Sequence, residues 1–214
     1  MPYSQLSVHD LIIHIGLWLL FALQHSGMAS ERFKKGWCRL LGPLAAAERL
    51  LYNLISALCT SAILLHAYQF LPHTPLFRPE GYMLLTLFGV QFLGAMGMLA
   101  ALATYDLARF SGFAALRAAS SGENLPEEPF QIAWPHRFVR HPVYACGLLV
   151  IWVRPLDTAA LILNLCATTY LIIGMRLEEG RLLTAYGEPY MRYRKQVPAL
   201  IPLPGRSLPR FRAR

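Results

Sequence analysis

The sequence predicts an all-α integral membrane protein, and three observations carry that reading. Hydrophobic residues make up 55% of the 214 residues and charged residues only 15%, against about 25% charged in an ordinary soluble domain. Two stretches, Leu50 to Leu71 and Tyr82 to Ala103, contain no Lys, Arg, Asp or Glu at all, and each is as long as the roughly 20 apolar residues that span a bilayer. The basic residues, finally, cluster in alternate connections between the apolar runs, as cytoplasmic loops do.

Five transmembrane helices are expected, over residues 8–25, 50–71, 82–104, 142–153 and 156–175, in a single domain spanning residues 1–214. The first run is apolar except for His9, Asp10 and His14. No Lys or Arg precedes it, so it lacks the charged leader of a secretory signal and is expected to be retained. The apolar region from Val143 to Met175 is too long for one span. Arg154-Pro155 and Asp157 interrupt it, and proline flanked by charge reads as a turn. A helical hairpin follows, its short arm about 18 Å long and thus shorter than the hydrocarbon core. Beyond it, residues 176–214 form a cytoplasmic tail with a C-terminal helix, which Gly187 and Pro189 should end or bend. The connection Ser120 to Trp134, with Glu123, Glu127 and Glu128, reads as a solvated loop.

The net charge of +8 does not call for nucleic acid. Arg32, Lys34, Lys35 and Arg39 lie between spans one and two; Arg109, Arg117, Arg137 and Arg140 lie between span three and the hairpin; nine more run from Arg176 to Arg214. Only Arg78 and Arg154 fall in the opposite connections. That pattern sets the N-terminus outside and the C-terminus in the cytoplasm, and it favours anionic lipid headgroups. Cys38, Cys59, Cys146 and Cys166 show no CxxC or metal-like spacing, so structural thiols are expected and no metal site.

Chemistry is expected where charge meets the bilayer edge, because ionisable groups there are costly unless they bind or pair. Pro142 suits the first turn of a helix and pushes His141 out of helical geometry. Arg140 then stands beside a helix start, whose free N–H groups favour a carboxylate or phosphate; the alternative is that Arg140 snorkels to headgroups and His141 caps the helix. Tyr144 and Gly147 follow on one face. Glu178-Glu179 come at the end of the long arm, which returns them beside Arg140-His141. Simple pairing of Glu178 with Arg181 and of Glu179 with Arg176 is the plainer reading. Mixed anion- and cation-seeking groups suit a zwitterionic, partly apolar cofactor. A third cluster, Gln24-His25-Ser26, ends span one and could anchor it or supply a general base. Glu48-Arg49, with Tyr52 and Asn53, opens span two in the same layer. His14 and His66 read as structural.

Together these residues resemble a superfamily of membrane methyltransferases, which includes the isoprenylcysteine carboxyl and phospholipid methyltransferases. The resemblance rests on Arg140-His141-Pro142-Val143-Tyr144, Glu178-Glu179, Gly187-Glu188-Pro189-Tyr190-Met191-Arg192-Tyr193 and Val197-Pro198. Leu23-Gln24-His25-Ser26, Phe33-Lys34, Trp37 and Glu48-Arg49-x-x-Tyr52 look closest to the bacterial methanethiol S-methyltransferase branch. The resemblance implies S-adenosyl-L-methionine as cofactor, bound by Arg140, His141, Pro142, Tyr144, Gly147, Glu178, Glu179 and Tyr190. It implies His25 and Gln24 as catalytic residues, a small thiol or lipid-like substrate, and the bacterial inner membrane. Methylation of a lipid headgroup amine or a prenylated-cysteine carboxylate is the alternative within the class; a non-catalytic membrane protein that kept the fold is the alternative outside it. The chain reads Gly180-Arg181 where the branch pattern has Arg-Asp after its paired glutamates.

Overall fold

The computed structural model describes residues 5–123 and 130–204; Glu127, Glu128 and the arginine-rich end of the tail lie outside the described residues. In chain order the helices are α1 (Val8–Met28), α2 (Glu31–Leu41), α3 (Glu48–Phe70), α4 (Gly81–Leu102), α5 (Leu107–Ser111), α6 (Phe113–Ser121), α7 (Pro142–Trp152), α8 (Thr158–Tyr186) and α9 (Glu188–Gln196). Two short strands, β1 (Pro75–Phe77) and β2 (Leu156–Asp157), pair antiparallel. Among the described residues four helices, α1, α3, α4 and α8, are long and apolar enough to cross a membrane, and α7 is a shorter apolar helix. On α4, Tyr82, Leu85 and Leu93 are 91%, 69% and 69% exposed, as expected of side chains that meet lipid rather than water.

Chain contacts divide the molecule into two units. The first comprises residues up to Phe77, Asp106–Glu127 and Leu156–Cys166. Within it α1 packs on α3, with Phe21 and Ile63 buried. Ser30 caps α2 by accepting from Phe33 N, and Asp106 caps α5 by accepting from Ala108 N and Arg109 N. These amphipathic and short helices occupy connections to which the sequence reading assigns no element; their caps supply the start signals. Gly112, at φ 99°, joins α5 to α6, and a Cβ there would lie 2.8 Å from Leu50 N, so this close approach requires glycine. Arg49 Nε and Asn53 Nδ2 donate to Phe110 O, fastening α3 to that junction.

The strand pair is a departure from an all-helical chain. It forms because the connection after α3 runs extended beside the turn that precedes α8. Thr158 N bonds Thr74 O and Ala159 N bonds Pro72 O. Asp157 accepts from Ala160 N as the α8 N-cap and also meets His73 Nδ1 at 2.8 Å, while His73 Nε2 contacts Tyr68 O. Ala67, Leu71 and Ala159 form the apolar core beneath.

The second unit comprises Arg78–Tyr105, Glu128–Pro155 and the chain from Ala167 onward. Here α4 packs closely on α7. A Cβ at Gly97 would lie 2.9 Å from Cys146 Sγ and one at Gly94 would lie 3.2 Å from Leu149 Cβ, the close approach that small residues permit between membrane helices. Gln91 donates to Val150 O, and Trp152 to Thr168 Oγ1. With 11 residues, α7 is only about 16 Å long. By contrast α8, at 29 residues, is about 43 Å long and outreaches the hydrocarbon core. It does not end near Met175, as the apolar run suggests. It continues through Glu178-Glu179 to Tyr186, because Arg176 to Tyr186 holds no proline and Gly180 keeps helical geometry, and stops at Gly187, whose φ is 58°. The C-terminal helix is then α9, with Pro189 in its first turn.

Candidate functional site

In the second unit the residues around Arg140 converge. Arg140 N and His141 N bond Pro198 O and Ala199 O, so the chain before α7 runs paired with the segment after α9. Pro142 opens α7, and His141 makes no side-chain cap. Its ring turns instead toward the paired glutamates: Nε2 meets Glu179 Oε1 at 3.1 Å and Nδ1 lies 3.6 Å from Glu178 Oε2. The Tyr144 ring stacks on His141, 5.3 Å between centroids, and its hydroxyl donates to Glu178 Oε2 at 2.9 Å.

Arg140 is spent on the protein itself. Nε and Nη2 hold Glu179 Oε1 at 2.7 and 2.6 Å, and Nη1 donates to the carbonyls of Arg194 and Val197. Glu179 also receives Arg194 Nε at 3.1 Å. The pairing that forms is therefore across elements, through Arg140, His141 and Arg194, in place of the Arg176 partner that helical spacing offers Glu179. The two glutamates consequently differ: the Glu179 side chain is 7% exposed and that of Glu178 44%. Arg140 and Glu179 fasten α9, and Glu178 keeps an accessible carboxylate.

Tyr190, 1% exposed, packs with Tyr193 and Val197 against Phe130 and Tyr186. Its hydroxyl is buried with no hydrogen-bond partner among the described residues. Burial, aided by the Glu179 carboxylate, pushes its pKa up to about 12. Gly147 is more open than a helix-contact glycine: the nearest atom to an added Cβ is Met98 Sδ at 4.0 Å.

Sequence reasoning missed Tyr105 and His136. Tyr105 Oη lies 3.1 Å from His136 Nε2, and Tyr193 Oη donates to His136 O. His136 Nδ1 is buried and unpartnered among the described residues. Burial, then the neighbouring His141, hold its pKa below the usual histidine value, against the pull of Glu178. The signal was available: Trp134-Pro135-His136-Arg137 sits one turn before Arg140.

In the first unit, His25 Nε2 lies 2.7 Å from Tyr52 Oη and Nδ1 lies 3.0 Å from Ser56 Oγ. Arg49 stands over the Tyr52 ring at 5.2 Å. Gln24 donates to Met28 Sδ at 3.1 Å, leaving its Oε1 buried without a partner among the described residues. His14 is fully buried and accepts from Trp18 Nε1.

Comparison with known proteins adds a family. The chain is 34% identical to Methanethiol S-methyltransferase 2 of Bradyrhizobium diazoefficiens, over 90% of this chain and 73% of that protein. It is 34% identical to the Methanethiol S-methyltransferase of Crocosphaera subtropica, over 94% and 78%. This chain belongs to the methanethiol S-methyltransferase family. The Methanethiol S-methyltransferase of a Pseudomonas species is 35% identical over 86% of this chain and 70% of its own length. Nurim of Xenopus laevis also matches, at 30% over 78% of this chain and 60% of that protein, in keeping with a wider membrane methyltransferase superfamily. No family model matches, and no solved structure does.

Proposed function

We propose that the chain transfers a methyl group from S-adenosyl-L-methionine to a small thiol, giving a methyl thioether. The names of its relatives support thiol methylation, and one observation of this chain carries the cofactor part. That observation is the half-exposed Glu178 carboxylate, held on one oxygen by Tyr144 and His141, with buried polar atoms at Tyr190 and His136 that have no partner among the described residues.

These residues fit the cofactor. It carries a positive sulfonium, an ammonium group and ribose hydroxyls, all of which a fixed carboxylate attracts or accepts from. Glu178 would take the ammonium or ribose hydroxyls, Tyr144 would hold that carboxylate in place, and Tyr190 would pack against the adenosine, with the open side of Gly147 giving room. Arg140 and Glu179 contribute through the fastening of α9 more than by touching the cofactor. The carboxylate would meet the start of α7, whose first N–H groups His141 leaves uncapped.

When bound, the cofactor supplies a methyl group on a sulfonium, open to in-line displacement. The protein has then to hold a desolvated nucleophile close to it. The thiolate is that nucleophile, and free cysteine loses its proton only near pH 8.5, so a base such as His25 helps, with Gln24 beside it.

In this reading the chain sits in the bacterial inner membrane with five crossings, α7 making the short one, N-terminus outside and C-terminus cytoplasmic. Purified protein given methyl-labelled cofactor and a panel of small thiols, lipid amines and prenylated cysteines tests it. Label is expected in the thiols. Label in a lipid amine or prenyl carboxylate would reassign the substrate, and no binding of the cofactor would overturn the reading.

A further inference from the structure

The two hydroxyls around His25 come from one face of α3. Tyr52 and Ser56 are four residues apart, so adjacent helical turns present both to α1. Each ring nitrogen of His25 is met by one of them. A thiol placed here would meet no open ring nitrogen, so its proton would have to reach the ring through a hydroxyl. Hydroxyls suit this because each has one O–H donor and two acceptor lone pairs. The two are not equivalent: Tyr52 is buried, at 6% exposure, beneath the Arg49 guanidinium, whereas Ser56 is partly exposed.

We propose that Ser56 is the hydroxyl through which the substrate's proton passes to His25, with Tyr52 positioning the ring from its other side; this rests on the thiol methylation proposed above. In the step, the S–H bond breaks and its proton goes to Ser56 Oγ. Ser56 gives its own proton to His25 Nδ1, so the serine is unchanged. The electron pair left on the thiol's sulfur forms the new S–CH3 bond as the methyl's bond to the sulfonium donor breaks, and the two electrons of that breaking bond stay with the donor's sulfur. His25 Nε2–H donates to Tyr52 Oη meanwhile, and the surplus proton is later lost to water.

The test uses two thiols in the full-length protein: an alkyl thiol, which is protonated near neutral pH, and an aromatic thiol such as thiophenol, which is largely ionised. Ser56→Ala should lower kcat for the alkyl thiol about a hundredfold, the scale of a lost proton-transfer group, and for the aromatic thiol by less than about threefold. Ser56→Thr, which keeps the hydroxyl, should restore most of the alkyl-thiol rate, and cofactor affinity by calorimetry should match the wild type in both variants. Tyr52→Phe should fall between them. Equal loss for both thiols, or full alkyl-thiol activity in Ser56→Ala, overturns the relay and leaves thiol methylation standing. A wild type that methylates neither thiol overturns both.

Discussion

Replacing Arg140 by lysine separates two roles that the sequence alone leaves joined. If Arg140 received a cofactor carboxylate, Arg140→Lys would weaken ligand binding and leave the empty protein intact. The geometry assigns it to holding α9. Its fork spans Glu179 on one side and the carbonyls of Arg194 and Val197 on the other. An ammonium is a point charge that cannot serve both sides at once. At least two hydrogen bonds involving a charged group are lost, at about 1.5–3 kcal/mol each. Taking the low end gives about 3 kcal/mol, or roughly a hundredfold rise in the opening constant of α9, since about 1.4 kcal/mol is tenfold. Hydrogen exchange read by mass spectrometry on ligand-free protein should show that loss of protection over Glu188–Gln196 and at Val197, with peptides from α4 and α7 unchanged. Unaltered exchange in α9, with only ligand affinity reduced, would refute the assignment.

Glu178→Gln should behave in the opposite way, weakening cofactor binding about tenfold to a hundredfold through one lost charge-assisted bond, by calorimetry, while α9 protection holds. Gly97→Ala should destabilise the unit by about 1–3 kcal/mol, because its Cβ would lie 2.9 Å from Cys146 Sγ. Gly147→Ala, with nothing nearer than 4.0 Å, should leave melting temperature unchanged and show its effect in cofactor affinity. The His73–Asp157 contact raises the His73 pKa, chiefly through its hydrogen bond to Asp157. A raised folded pKa stabilises fully below the unfolded value of about 6.5 and is lost as pH climbs through the folded value. Protection factors at Thr158 and Ala159 amides should fall over that window in the wild type and stay level in His73→Gln.

How much of this was legible in the sequence depended on the range of the interaction. The long apolar helices announce themselves by composition, since a bilayer span is a local property of consecutive residues. Hidden were features whose cause lies far along the chain. Spacing along α8 offers Glu179 the partner Arg176, but Arg140, 39 residues away, presents a fork that matches a carboxylate better. Met175 ends the hydropathy run but not the helix, because a change from apolar to charged residues does not stop a helix; α8 passes through Gly180 and ends where Gly187 takes a positive φ. The strand pair needs Pro72–Phe77 and Leu156–Ala159 to meet, which no local pattern encodes. His136 went unnoticed because one histidine in a connection carries no periodicity, and its meaning lies in Tyr105 and Glu178.

The proposed relay needs a histidine that can change its proton, and the partners of His14, His141 and His25 decide which of the three can. An indole N–H only donates, so Trp18 fixes His14 Nε2 as an acceptor, and His14 cannot change tautomer without breaking that bond. A carboxylate facing Arg140 only accepts, so Glu179 fixes an N–H on His141 Nε2 and makes that ring a structural donor. His25 alone of the three faces hydroxyls at both nitrogens. Each hydroxyl can reverse its role by rotating about one bond, so the ring can gain a proton at Nδ1 while keeping both hydrogen bonds. The same physics that makes His14 and His141 rigid makes His25 switchable. It follows that Tyr52→Phe and Ser56→Ala should not be additive with His25→Ala: once the imidazole is gone, removing either hydroxyl should cost little more alkyl-thiol turnover, since the three act as a unit. A triple variant whose loss equals the product of the three single losses would show instead that they act independently.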